Sequence, residues 1–233
     1  MSAAAGGWTI GVIDPACARE REAVVRLRRQ AYAEAGEFAW NEMATLRWSD
    51  ADEEGVVLGL WGDRSDTGDD RSTALLSTLR MSVFADARVA ETFLEHSLHG
   101  VGAAWPALVL SRAATAPGRH RSGLMALLRS AYLQALAATP LRSVLAVVYD
   151  TAPRLHSMRS VGYTLTAPQR SWDSEARALT PPLVAHLSRA CFETALEAAQ
   201  TLAQDALPHT LITRAEIEAR LLRAIHAEAP AIS

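Results

Sequence analysis

Lysine is absent from this chain: all 23 positions counted as lysine or arginine are arginine, set against 26 acidic residues and a net charge of -3. A balance on the acidic side predicts no general attraction to nucleic acid or to an anionic membrane, so an anion site would have to be local. Cysteine is nearly absent too. Cys17 and Cys191 stand far apart, with neither metal-ligand spacing nor a disulfide framework, so neither a metal nor a structural disulfide is expected. No apolar run approaches the length of a membrane span, and residues 1–7 lack the basic start and long apolar core of a secretion signal. The expectation is a cytoplasmic protein without a membrane span. No serine sits in a nucleophile elbow and neither cysteine has a neighbouring base, so covalent catalysis by a serine or cysteine is not expected. What is present is ordinary for a globular domain: 233 residues, 49% hydrophobic and 21% charged, enough to bury one generous core.

Along the chain the pattern alternates between strand and helix. Residues 8–13 read as a strand, and Asp14-Pro15 opens a helix predicted over 16–35 with Val24, Leu27, Ala31 and Ala35 on its buried stripe. An irregular stretch over 38–49, carrying Trp40 and Trp48, leads to the acidic run Asp50, Asp52, Glu53 and Glu54. Residues 55–61 and 72–83 read as two strands of a hairpin, and 86–98 as a short helix. A strand is predicted over 107–110, then a basic turn, then a helix with Leu124, Leu127, Leu128, Ala131 and Ala135 on one face and Arg129 and Gln134 off it. Residues 143–149, rich in valine and leucine, read as a buried parallel strand. A helix to Val161 is closed by Gly162-Tyr163. Past a connector over 167–181, two helices are predicted at 182–207 and 213–226, the second with a Thr213/Glu216 capping box. The expected organisation is a domain over 1–166 and a helical extension over 167–233 that packs on it or forms a dimer interface.

Three groups of polar residues stand out. Arg119, His120 and Arg121 precede a helix N-terminus, where their charge opposes the helix dipole unless an anion sits between them; a solvated basic turn is the alternative. Asp50 and Asp52 form a close acidic pair, suited to hold a surface cation or simply to be solvated. Arg80, flanked by Leu79 and Met81, has the planar fork that matches a carboxylate or phosphate, unless it faces outward from its strand.

The strand, basic turn and helix over 107–138 resemble the acyl-donor segment of the GNAT superfamily of N-acyltransferases. Ser111-Arg112 is similar to the Ser-Arg pair of acyl-homoserine-lactone synthases and long-chain N-acyl amino acid synthases, and Leu27-Arg28-Arg29-Gln30-Ala31-Tyr32 resembles an N-terminal signature of the same branch. Arg80 stands like the arginine that closes a strand there, and Gly162-Tyr163 matches the last helix-to-strand element. The resemblance implies an α/β (α+β) fold with a mixed, centrally split sheet flanked by helices. It implies donor binding by Ser111, Ala113, Ala114, Arg119, His120, Arg121, Ser122 and Gly123, with a backbone amide near Ala113 polarising the thioester carbonyl. It implies catalytic or acceptor-facing roles for Arg28, Asp50, Asp52, Arg80 and Arg112. The donor would be an acyl thioester, on the phosphopantetheine of acyl carrier protein or on coenzyme A, and the acceptor the amine of an amino acid or peptide side chain. Met158 stands where many relatives place a tyrosine that protonates the leaving thiolate, with His156 nearby. An acetyl-coenzyme-A-dependent acetyltransferase and a non-catalytic acyl-binding module are the alternatives.

Overall fold

The computed structural model describes residues 7–34, 46–62, 74–119, 123–149, 152–171, 182–205 and 210–228. Eight strands form one mixed sheet in the order β6-β7-β5-β4-β3-β2-β1-β8. In chain order these are β1 (Trp8–Val12), β2 (Val56–Gly62), β3 (Ala74–Phe84), β4 (Ala107–Thr115), β5 (Ser143–Tyr149), β6 (Thr164–Thr166), β7 (Pro182–Ser188) and β8 (Thr210–Ile212). The helices are α1 (Ala18–Glu34), α2 (Asp50–Glu54), α3 (Ala87–Leu94), α4 (Leu124–Leu136), α5 (Ala152–Ser160), α6 (Phe192–Leu202) and α7 (Arg214–Glu228).

Alternation along the central strands separates two cores. Leu58, Leu60, Leu79, Met81, Leu108 and Leu110 point to the face covered by α4, α6 and α7, whose Leu127, Leu128, Ala195, Ala199 and Leu221 complete the larger core. The opposite face carries smaller clusters under α1 and α3, built on Val24 with Ile13 and Val57, on Leu27 with Ala31 and Ala114, and on Phe84 with Ala90 and Val109. Helix α4 is buried almost all round, which explains why its apolar face was broad in sequence.

The division at 166/167 has one sheet on both of its sides, since β6 pairs with β7. Residues 182–188, expected as the start of a helix, are the strand β7, antiparallel to β5 from Ser143↔Ser188 to Tyr149↔Pro182. The spacing of Leu183, Leu187 and Ala190 fits a helical face, yet Val184 and Ala185 are both fully buried, as in a strand covered on two sides. Helices α6 and α7 follow as expected, but the Thr213 hydroxyl donates to the Ile10 carbonyl, tying the start of α7 to β1. Strand β4 runs five residues beyond the predicted 107–110, because the long β3 continues to pair it as far as Ser77↔Thr115. Arg129, predicted off the buried face of its helix, is buried and donates to Ser157 Oγ at 2.6 Å and to Met158 Sδ at 3.2 Å, bracing α4 against α5.

Arg189, between β7 and α6, closes α4. Its guanidinium donates to the carbonyls of Thr139 (2.6 Å), Leu141 (2.9 Å), Leu136 and Ala137 (both 3.3 Å), and lies 5.7 Å from the Phe192 ring centroid. A cation on the last carbonyls of a helix satisfies orphan acceptors and complements the dipole. Arg189→Met keeps the stem and removes the fork, and we expect a loss of about 2 kcal/mol in urea unfolding. A loss under about 0.5 kcal/mol would show that water replaces these bonds without penalty.

Candidate functional site

The sheet opens between β4 and β5. These parallel strands pair over Ala107↔Ser143 to Leu110↔Ala146; beyond that β4 stays with β3 while β5 stays with β7. The split begins at Ser111. There β4 carries a bulge: Thr78 faces Ala114 and Arg80 faces Ser111, so Arg112 and Ala113 together oppose Leu79. Arg112 adopts φ +53, a left-handed conformation that glycine takes freely and that costs an arginine about 1–2 kcal/mol.

Beside it lies a buried ionic cluster. Arg28 sits on the inner stripe of α1 between Val24 and Ala31, fully buried where the helical period calls for an apolar residue. Its guanidinium grips Asp52 with two bonds, Nη2 to Oδ1 at 2.8 Å and Nη1 to Oδ2 at 3.1 Å. Asp52 is the third residue of α2, which Ser49 caps: Asp52 Oδ2 accepts from the Ser49 amide at 3.1 Å and the Ser49 hydroxyl at 3.0 Å. Gly55 is required immediately after α2, since a β-carbon there would stand 2.8 Å from the Ala51 carbonyl and 2.9 Å from that of Met81. Arg80 comes in from β3, donating Nε to Ser111 Oγ at 2.8 Å, with Nη1 3.4 Å from Ser49 Oγ and 3.9 Å from Asp52 Oδ1. Its guanidinium carbon stands 5.2 Å from the Phe93 ring centroid, a cation–π contact.

Burial alone would raise the Asp52 carboxyl, but the Arg28 bonds and charge, the Arg80 charge and the Ser49 amide hold it below its ordinary value. Burial pushes Arg80 down to about 10, with the positive charges of Arg112 and Arg28 adding to that effect and Asp52 opposing it. Arg28 and Arg80 thus meet one carboxylate at the mouth of the split, half-buried Arg112 lies close enough for its charge to act on Arg80, and Arg28 Nε is buried with no hydrogen-bond partner among the described residues. Two buried guanidinium groups sharing one carboxylate are suited to a second anion.

Of the sequence candidates, Arg28, Asp52, Arg80, Ser111 and Arg112 come together here. Asp50 does not join them; it is exposed at the first position of α2. Ala113 is exposed on the bulge and Ala114 is buried against α1. Arg119 is exposed after β4, and Gly123 caps α4 with φ +75. His120, Arg121 and Ser122 lie outside the described residues, as does Trp40. Met158 is buried at 5% exposure and His156 is exposed, both on α5. Among the described residues no group of three or more His, Cys, Asp or Glu could hold a metal ion, and no helix is long and apolar enough to cross a membrane. Sequence reasoning missed Ser49, whose signal was the Ser-x-x-Asp capping pattern with Asp52, and Phe93, which has no local signal.

No protein-family model matches the sequence, and no curated protein matches it. Solved structures do. FeeM, an N-acyl amino acid synthase from uncultured soil microbes, superposes with a TM-score of 0.53 at 16% identity over 83% of this chain and 99% of its own. The CoA-dependent acyl-homoserine lactone synthase BjaI, solved with SAM and isopentyl-CoA, gives 0.53 at 15% identity over 95% and 99%. The ribosomal-protein-S18-alanine N-acetyltransferase of Escherichia coli gives 0.50 at 15% identity over 78% and 93%. At this identity the likeness is one of fold, and together with the split, bulged sheet it shows that the chain is built on the fold of the GNAT N-acyltransferases.

Proposed function

We propose that the chain is a cytoplasmic N-acyltransferase that moves a fatty acyl group from an acyl thioester, carried by acyl carrier protein or coenzyme A, to the amine of an amino acid or peptide side chain. The observation that carries this reading is the buried pair Arg28 and Arg80 on one aspartate at the mouth of the split, with half-buried Arg112 beside Arg80. In this reading the thioester lies in the split with its carbonyl oxygen at the bulge, where a β4 amide near Ala113 stabilises the developing oxyanion. The acceptor approaches from the α1 side. Arg80 and Arg112 hold its carboxylate and so present its amine to the carbonyl carbon, which makes positioning the main source of rate.

Asp52 is a positioning residue and not the base. Both of its oxygens are already occupied, and its carboxyl is held below its ordinary value, so it has little tendency to take a proton from an ammonium group. A water molecule takes that proton. The amine nitrogen forms the amide bond, the carbon–sulfur bond breaks, and the second proton of the nitrogen passes through water to the sulfur, so that the thiol leaves neutral. FeeM's description as an N-acyl amino acid synthase agrees with this class of reaction.

The test is incubation with acetyl and decanoyl thioesters of carrier protein and of coenzyme A and a mixture of free amino acids, with products resolved by mass spectrometry. Decanoyl amides of a free amino acid are expected. Acetyl amides alone would favour the acetyltransferase reading, and the absence of any amide or released thiol would refute transfer to a free amino acid.

A further inference from the structure

Arg129 takes no part in the ionic cluster around Asp52, yet it is buried to 9% exposure where α4 meets α5. These helices follow the two strands that part at the split, α4 after β4 and α5 after β5. Both pack on the same face of the sheet, since Leu127, Met158 and Val161 belong to one core. Arg129 is the sixth residue of α4 and Ser157 the sixth of α5, so their contact joins the two walls about 7.5 Å from each helix start. Met125, one turn earlier on the same side of α4, is half-buried, which places Arg129 a single turn beneath the surface.

Every acceptor that Arg129 has here is neutral. Nη1 donates to the Ser157 hydroxyl at 2.6 Å and to the Ser157 carbonyl at 3.4 Å, and Nη2 donates to Met158 Sδ at 3.2 Å. A thioether is a weak acceptor, so that last N–H is poorly used. No ion pair between described residues includes Arg129. The ionisable groups that feel its charge are Tyr132 and Tyr163, whose hydroxyls lie 2.6 Å apart. Burial raises both above the ordinary tyrosine value and the Arg129 charge offsets this only in part, so neither phenol is an anion at neutral pH. A buried guanidinium with neutral acceptors is costly to the fold and gains most from an anion brought from outside.

We propose that Arg129 is a catalytic residue that receives the leaving sulfur. As the amine nitrogen bonds to the carbonyl carbon and the carbon–sulfur bond breaks, the electron pair goes to sulfur. Arg129 Nη2 turns from the Met158 thioether to that thiolate until a proton reaches it through water. Arg129 keeps its own protons throughout, so its contribution is charge stabilisation and not proton transfer. This rests on the acyl-thioester reading above, which puts the sulfur between β4 and β5.

The experiment titrates bound coenzyme A and bound phosphopantetheine, each carrying carbon-13 beside the sulfur, by NMR in the native chain, Arg129→Met and Arg129→Gln. In the native chain the bound thiol is expected to ionise about one pH unit or more below the free thiol, because a cation within hydrogen-bond distance favours the thiolate. Arg129→Met keeps the stem in the core, Arg129→Gln keeps donors for Ser157, and either should return the bound thiol to its free value. With decanoyl thioesters kcat should fall about a hundredfold in both variants, with KM changed less than about threefold. A bound thiol that ionises at its free value in the native chain overturns the proposal whether or not the variants fold. A shift that survives either substitution, or a variant kcat within about threefold of the native one, overturns it as well. If neither thiol binds, the acyl-thioester reading falls and the proposal with it, whereas binding with an unshifted thiol removes the role of Arg129 alone.

Discussion

Asp52→Asn lowers the stability of this chain by about 3–5 kcal/mol, because it leaves two buried guanidinium groups, Arg28 and Arg80, facing a neutral amide. The isosteric change keeps the shape of the Ser49 cap, so the loss reads out charge. For a chain of this size it corresponds to a melting point lower by roughly 10 °C. The size of the effect is a property of breaking the pair and not of its net worth: Arg28→Met combined with Asp52→Leu is expected to cost less than Asp52→Asn alone, since no unpaired Arg28 charge remains. A melting point for Asp52→Asn within about 2 °C of the native one would mean that water reaches the cluster and screens it.

The same contact fixes a pH dependence. The folded Asp52 carboxyl is held below its ordinary 3.8, so the native state binds fewer protons at this site than the unfolded chain does. A depressed folded value contributes stability that is fully present above the unfolded one, about 3.9, and is lost as pH falls through the folded value. The gap between the native chain and Asp52→Asn should therefore be constant from pH 8 down to about 4 and narrow only below it. Urea midpoints taken at pH 7, 5, 4 and 3 test this, and a gap that narrows between pH 7 and 5 would assign the titration to another group.

How far the sequence revealed these features depends on whether their causes are local. Helix α1 and helix α4 were readable from their helical period, and strands β2, β3 and β5 from apolar runs buried on both faces of the sheet. Strand β7 was not, since seven residues with Leu183 and Leu187 four apart satisfy both a helix and a buried strand, and pairing with β5 decides between them. The continuation of β4 is likewise set by its partner, as Ser111, Arg112 and Ala113 have no strand propensity of their own. In the site, Arg28 was visible as an arginine among the apolar positions of a helix, though the spacing alone is equally compatible with a wet face. Its contact with Asp52, 24 residues away, required the fold. The roles of Arg129 and Arg189 had no sequence signal, because an arginine that satisfies distant carbonyls or a thioether looks like any surface arginine.

The left-handed Arg112 separates function from structure in one substitution. Glycine at this bulge relieves the left-handed strain of about 1–2 kcal/mol and gives back part of it through the greater freedom of its unfolded chain. The backbone change by itself should leave Arg112→Gly melting at or slightly above the native temperature, and any fall below it measures what the guanidinium contributes to the fold. If the guanidinium holds the carboxylate of the acceptor, the same variant should lose about a hundredfold in kcat/KM, the effect of removing one charged hydrogen-bonded contact from a desolvated site. The loss should appear mainly as a raised KM for an amino acid acceptor, and an uncharged amine of the same side chain should be used equally well by both proteins, since it has no carboxylate to hold. Lysine at this position restores charge without the planar fork and without relieving the strain, so intermediate activity with an unchanged melting point is expected. A large fall in melting point for Arg112→Gly would make the arginine a structural brace, and unimpaired kcat/KM with an amino acid would remove it from the site. A stable variant that has lost its acceptor is the outcome that ties the strained backbone of β4 to chemistry, because strain persists at such a position where the rest of the sheet holds it in place.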